Sequence, residues 1–182
     1  GLFNVITGSY DFANAFVEVD GVYTNKAPGG VAYRCSFRVT EAVHAIERMV
    51  DILAHEIGKD PAELRMQNFI QPEQFPYTTP TGWEYDSGNY GAALQKALDM
   101  IGYDDLRKEQ AMRRERGDVN QLGIGLSSYV EVTAPIGLHI EYGAVEVHDD
   151  GTASLSVGTS VHGQGHHTAF AMLASDVLGI PM

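Results

Sequence analysis

Leu122-Gly123-Ile124-Gly125-Leu126-Ser127-Ser128-Tyr129-Val130-Glu131-Val132 is where the chain changes period. Leu122, Ile124, Leu126, Val130 and Val132 alternate with small or polar residues, the two-residue repeat of a strand with one buried face. Before this stretch apolar residues recur at helical spacing. After it the alternation resumes at Ile140, Tyr142, Ala144 and Glu146. The expected class is α+β: mixed or antiparallel strands with a helical excursion. Successive middle helices without strands between them argue against a parallel βαβ order.

Working backwards, Tyr90, Leu94, Leu98 and Ile101 mark a helix that stops at Gly102, and Asp104 to Arg116 reads as a charged, solvated one. Val39, Val43, Ile46, Val50, Leu53 and Ile57 form one apolar stripe, with Glu41, Glu47, Arg48, Asp51 and Glu56 on other faces. Ser36 is its expected N-cap and Gly58 its left-handed stop. Asp60-Pro61-Ala62-Glu63 starts a further helix, running to about Phe69. Residues 71–88 are a long connection whose Phe75, Tyr77, Trp83 and Tyr85 should pack on a surface. Met49, Met66, Met100, Met112 and Met172 are expected at helix-packing positions, Met112 with some exposure.

Working forwards, Asp149-Asp150-Gly151-Thr152 turns into the strand Ala153–Val157, and Thr168 to Leu178 closes with a helix. At the other end, residues 1–25 read as strands broken at Asp20-Gly21. The chain is treated as one domain over 1–182: strand-rich 1–25, a loop over 26–38, a helical part 39–117, a strand meander 121–157, and a loop and helix over 158–180. It contains no internal repeat.

The 182 residues could bury about 70% of their extended surface as one domain, and they carry 24 acidic against 12 basic side chains, a net charge of −12. The longest basic run is Arg113-Arg114, so nucleic acid and anionic membranes are poor partners. No apolar run approaches the ~20 residues that span a bilayer. No signal peptide is legible, and a cytoplasmic protein is the default expectation.

Two stretches carry candidate chemistry. In Tyr33-Arg34-Cys35-Ser36-Phe37-Arg38 the single cysteine stands between a Pro28-Gly29-Gly30 turn and a helix start, with an arginine on each side. Both arginines and the helix's positive end favour a thiolate, as a nucleophile or a metal ligand. A buried structural cysteine stays open on the same residues. In Ser160-Val161-His162-Gly163-Gln164-Gly165-His166-His167-Thr168, glycines two apart before a helix expose N–H groups that can cradle an anion or pyrophosphate. The third glycine of the nucleotide fingerprint is absent, and a simple helix entry is the competing reading. His162, His166 and His167 suggest zinc, but no nearby cysteine completes a familiar set. His44 and His55 read as helix-surface residues. Glu131 and Glu141 flank a turn and are a candidate acid/base pair.

Thr24-Asn25-Lys26-Ala27 through Val31-Ala32-Tyr33-Arg34-Cys35-Ser36-Phe37-Arg38 resembles the active-site loop of the large subunits of aerobic molybdenum–copper carbon monoxide dehydrogenases. These belong to the xanthine dehydrogenase/aldehyde oxidase class of molybdenum hydroxylases. Leu64-Arg65-Met66-Gln67-Asn68-Phe69 to Tyr77, and Gly82-Trp83-Glu84-Tyr85-Asp86-Ser87-Gly88-Asn89-Tyr90, continue the likeness. The resemblance implies that Cys35 ligates a Cu(I) bridged by sulfide to molybdenum, that Phe37 walls the pocket, and that Arg34 holds cluster and loop. It implies that Gly163, Gln164, Gly165, His166 and Thr168 bind molybdopterin cytosine dinucleotide, His167-Thr168 sitting at the following helix start. The implied reaction is oxidation of carbon monoxide with water to carbon dioxide. Electrons would pass through a small subunit with two [2Fe–2S] clusters to an FAD subunit, in an assembly dimerised through the large subunit.

The departures are His162 and His167, where the family has glutamine and glutamate, and a shortened stretch between Glu131 and Glu141. The family's catalytic glutamate lies further toward the C terminus and a pocket glutamine lies upstream of Gly1. The chain is therefore expected to be a partial cofactor-binding domain, a central fragment that is inactive and cofactor-free in isolation. Hydroxylation of an aldehyde or N-heterocycle, or a non-catalytic scaffold role, are the alternatives.

Overall fold

A computed structural model describes residues 5–22, 25, 39–131, 140–161 and 163–182. The chain divides into two compact units, Gly1–Thr133 and Ala134–Met182.

The first unit is helical. Helices α1 (Val39–Glu56) and α2 (Pro61–Asn68) are followed by a 3₁₀ turn at Pro72–Gln74 and a minimal hairpin, β1 (Tyr77–Thr78) with β2 (Glu84–Tyr85). Helices α3 (Tyr90–Ile101) and α4 (Tyr103–Arg116) come next. The stops and starts follow the sequence chemistry. Gly58 adopts φ +67°, and Lys59 N donates to Ala54 O at 2.8 Å, ending α1. Asp60 caps α2, its Oδ1 accepting from Ala62 N and Glu63 N. Gly102 at φ +64° ends α3 and opens α4.

Two apolar clusters hold this unit. Tyr10, Ala62, Phe69, Leu94, Leu98 and Tyr103 form one, with Ile46, Val50, Ile124 and Leu126 against it. Val5, Ala42, Ile70 and Tyr85 form the other, covered by Phe75, Tyr77, Trp83 and Val130. The aromatics of 71–88 thus pack as their composition requires, but the connection also contains β1 and β2, where a strand-free excursion was expected.

The structure revises four sequence-based expectations. Among the described residues of 1–25 there is no strand, only an isolated bridge between Tyr10 and Phe69. Residues 11–22 carry no regular structure and are mostly exposed; a strand needs a neighbour, and none lies beside them among the described residues. Residues 121–131 keep the alternating burial of a strand, Leu122, Ile124, Leu126 and Val130 inward, yet carry no ladder. On α1, Val43, Ile46 and Val50 face inward but Leu53 and Ile57 are exposed, the first at the edge of the buried face and the second beyond the last helical residue. Met66 packs against the core and Met112 has the exposure expected of it, whereas Met49, Met100 and Met172 are exposed.

The second unit holds the antiparallel hairpin β3 (Gly143–Val147) and β4 (Ala153–Val157), then α5 (His166–Leu178). Its register pairs Val145 with Leu155. The turn is the expected one: Gly151 adopts φ +83°, and Asp150 Oδ1 accepts from Thr152 N and Oγ1. Helix α5 begins at His166, two residues earlier than the sequence suggested. Among the described residues no helix is long and apolar enough to cross a membrane.

Candidate functional site

Cys35, Arg34, Phe37 and the expected cap Ser36 lie outside the described residues, as does His162. The described part of the candidate site is the entry to α5. Gly163 (φ +105°) and Gly165 (φ +80°) take left-handed conformations that only glycine adopts without strain. Among the described residues, chain neighbours aside, no atom lies within 4 Å of where a Cβ would stand on either. Gln164 between them donates Nε2 to Ser160 O at 3.2 Å. Gly165 is the N-cap and has no side chain, so no side chain caps the amide groups of the first turn. His166 and His167 lie inside that first turn, and Thr168 is its exposed third residue.

The His166 ring packs on Phe170 with centroids 4.9 Å apart, and its Nδ1 is buried with no hydrogen-bond partner among the described residues. A buried ring nitrogen left unsatisfied is costly and is an opening for a ligand's polar group. Beside it lies a cavity of about 540 Å³, lined by Ser156, Thr159, Ser160, His166, His167 and Phe170 among others. Helix N–H groups, three hydroxyls and two imidazoles suit a phosphate ester with a polar tail. This donor set fits the anionic, hydroxyl-bearing part of a dinucleotide cofactor. No cluster of three potential metal ligands occurs among the described residues, and His162 of the zinc reading lies outside them. Glu131 and Glu141 fall in different units; Glu141 Oε1 accepts from Tyr142 N at 2.9 Å.

Sequence reasoning missed a buried polar junction. Glu47, assigned to an outer face of α1, is 4% exposed, and Arg65 is fully buried. Glu47 Oε1 accepts from the Tyr10 hydroxyl at 2.5 Å; its Oε2 accepts from Arg65 Nε at 2.9 Å and Ser128 N at 2.8 Å. Arg65 also reaches Asp51 Oδ1 at 3.0 Å, Pro61 O at 3.1 Å and Leu126 O at 3.1 Å. Burial, reinforced by the hydrogen bond to Glu47, pushes the Tyr10 phenol well above its ordinary pKa. Burial works against the Arg65 charge, but the Glu47 carboxylate outweighs it and the guanidinium is held above its ordinary value. A sequence signal existed: Glu47 lies four residues after Val43 and three before Val50, on the apolar stripe itself.

Residues 1–69 and 96–182 each match a molybdopterin cofactor-binding domain family. The chain is 49% identical, over its whole length, to the carbon monoxide dehydrogenase large chain of Afipia carboxidovorans, of which it covers 24%. It is 33% identical over 96% of its length to the nicotine 6-hydroxylase large subunit of Paenarthrobacter nicotinovorans, covering 22% of that protein. The crystal structure of the Cu,Mo-CO dehydrogenase in its carbon monoxide reduced state superposes with a TM-score of 0.76 at 45% identity, over 100% of this chain and 24% of that one. The chain thus spans about a quarter of the length of the curated relatives it matches. These matches, with which the α+β architecture agrees, place the chain in the molybdopterin cofactor-binding domain family of molybdenum hydroxylase large subunits.

Proposed function

We propose that this chain is the part of a carbon monoxide-oxidising molybdenum–copper dehydrogenase that presents the copper thiolate and one wall of the cofactor site. The observation that carries the reading is Cys35 in Tyr33-Arg34-Cys35-Ser36-Phe37-Arg38, directly before α1. The 49% identity to a carbon monoxide dehydrogenase large chain supports it. Cu(I) is soft and prefers a thiolate, which two flanking arginines and the α1 N-terminus favour at neutral pH. In this reading Arg34 holds the loop and Phe37 walls the pocket on the copper side. Gly163, Gln164, Gly165, His166 and Thr168 hold molybdopterin cytosine dinucleotide through the amide groups and unsatisfied ring nitrogen of the α5 entry. When bound, the molybdenum–copper pair supplies the oxygen-transfer and two-electron chemistry that turns carbon monoxide and water into carbon dioxide and two protons. The electrons then leave through [2Fe–2S] clusters of a small subunit to an FAD subunit, and the large subunit dimerises. With one cysteine, the chain cannot hold a four-thiolate cluster itself.

A second reading, hydroxylation of an N-heterocycle, is favoured by the 33% identity to a nicotine 6-hydroxylase large subunit. The test is carbon monoxide-dependent dye reduction by a full-length large subunit carrying these residues with its partner subunits, alongside Cys35→Ser. Loss of activity together with loss of copper in the variant supports the first reading. Full activity in the variant, or copper-free turnover of a heterocycle, overturns it. The 182-residue chain purified alone is expected to contain no molybdenum by elemental analysis.

A further inference from the structure

Residues 121–131 show the alternating burial of a strand without a strand's bonds. Leu122, Ile124, Leu126, Ser128 and Val130 are half-buried, the residues between them are exposed, and none of the stretch is fully buried. Among the described residues, its backbone is bonded by side chains. Leu122 O accepts from Gln110 Nε2 at 2.9 Å, Leu126 O accepts from Arg65 Nη2 at 3.1 Å, and Ser128 N donates to Glu47 Oε2 at 2.8 Å. Helices α4, α2 and α1 each supply one of these side chains. Few bonds and no fully buried residue put a segment at the low end of local stability. The stretch also comes late in the first unit, which ends at Thr133, so α1 to α4 all precede it.

Two of the three bonds come from one buried ion pair, whose side chains are 6% exposed at Glu47 and 0% at Arg65. The pair's other partners lie outside the stretch. Glu47 keeps the Tyr10 hydroxyl and Arg65 Nε, and Arg65 keeps Asp51 Oδ1 at 3.0 Å and Pro61 O at 3.1 Å. Detaching 121–131 therefore leaves neither charge without a partner. It also admits water to a pair whose burial is costly, which offsets part of what the lost bonds contributed. The remaining loss is apolar contact: Ile124 and Leu126 leave one cluster, and Val130 leaves the other.

We infer that residues 121–131 form a releasable strap, clasped by Glu47 and Arg65, which detaches as a unit while α1 to α4 stay folded. Strap and clasp are independent of the chemistry proposed for Cys35.

Amide hydrogen exchange of the 182-residue chain, followed by NMR at rising but sub-denaturing urea, tests this. The Ser128 N–H reads the clasp directly, and the Leu94 and Leu98 amides inside α3 read the helices. Ser128 should exchange at least about tenfold slower than in an unstructured peptide and at least about tenfold faster than Leu98. Its rate should depend little on urea, because a small opening exposes little surface. Glu47→Gln should speed Ser128 about tenfold or more, and Leu94 and Leu98 by less than about threefold. Exchange of Ser128 with the rate and urea dependence of Leu98 overturns the inference, as does an unprotected Ser128 or an equal acceleration of all three amides in the variant. Should Glu47→Gln fail to fold by circular dichroism, the parent's urea dependence decides, together with Gln110→Ala. Losing the bond to Leu122 O in that variant should speed Ser128 and leave Leu98 within about threefold.

Discussion

At Gly88 an added methyl group would meet aromatic rings that cannot yield. A Cβ built on it would stand 2.7 Å from Tyr90 Cε1 and 2.9 Å from Phe75 Cζ. Those rings meet edge to face at 5.6 Å and belong to the packing over the Val5–Ile70 cluster, so neither can swing aside freely. Gly88→Ala should cost about 1–3 kcal/mol, read as a lower urea midpoint at unchanged slope. Gly158 is the contrast. A Cβ there meets only the flexible end of the Glu141 side chain, which can move, so Gly158→Ala should shift the midpoint little. At this scale the sequence was legible where chemistry is local. Asp60, Gly58 and Gly102 act as their types require, because a cap or a left-handed stop depends on a few neighbouring atoms. Glu47 was not legible as a junction, because a charged side chain on a helix is solvated by default and its three partners are 18, 37 and 81 residues away.

At the scale of elements, α2 shows how one side chain joins several. Asp60 caps the helix, accepts the Tyr103 hydroxyl at 3.1 Å and pairs with Arg107 Nε at 3.1 Å, tying α2 to α4. Asp60→Ala should therefore destabilise by about 1–3 kcal/mol, more than a lone cap, whereas Asp60→Asn should recover the capping part only. Urea titrations of the two variants side by side test this. The α5 entry follows the same logic in reverse. Its glycines leave the first turn without a side-chain cap, and the His166 ring nitrogen has no partner among the described residues, features that a bound polar group would relieve. The glycine–glutamine loop could be read from its residue types. That His166 belongs to the helix, with Nδ1 buried against no partner, could not.

The whole molecule has a pH signature at the alkaline end. Burial raises the phenols of Tyr85 and Tyr103 from 10 to about 12, and Asp60 adds to the shift at Tyr103. The folded chain then holds protons that the unfolded chain loses near pH 10, so the stability is fully present below pH 10 and lost as pH rises toward 12. Each phenol contributes on the order of 2 kcal/mol. The thermal midpoint should fall steeply between pH 10 and 12. Tyr85→Phe should lessen the fall, and an unchanged slope in that variant would refute the assignment.

From the residues alone came the α+β class, the stops at Gly58 and Gly102, the Asp60 cap, the hairpin turn and the two stretches that carry candidate chemistry. Periodicity, caps and glycine conformation are all properties of a few consecutive residues. The tertiary structure alone decided which alternating stretches become strands, since a ladder needs a partner at a distance. Among the described residues it left 11–22 without one and set side chains of α4, α2 and α1 on the backbone at Leu122, Leu126 and Ser128. It also decided that a glutamate on an apolar stripe, an arginine in a short helix and a tyrosine near the N terminus form one buried junction. Low dielectric makes that union strong, and nothing in local sequence spacing can announce it.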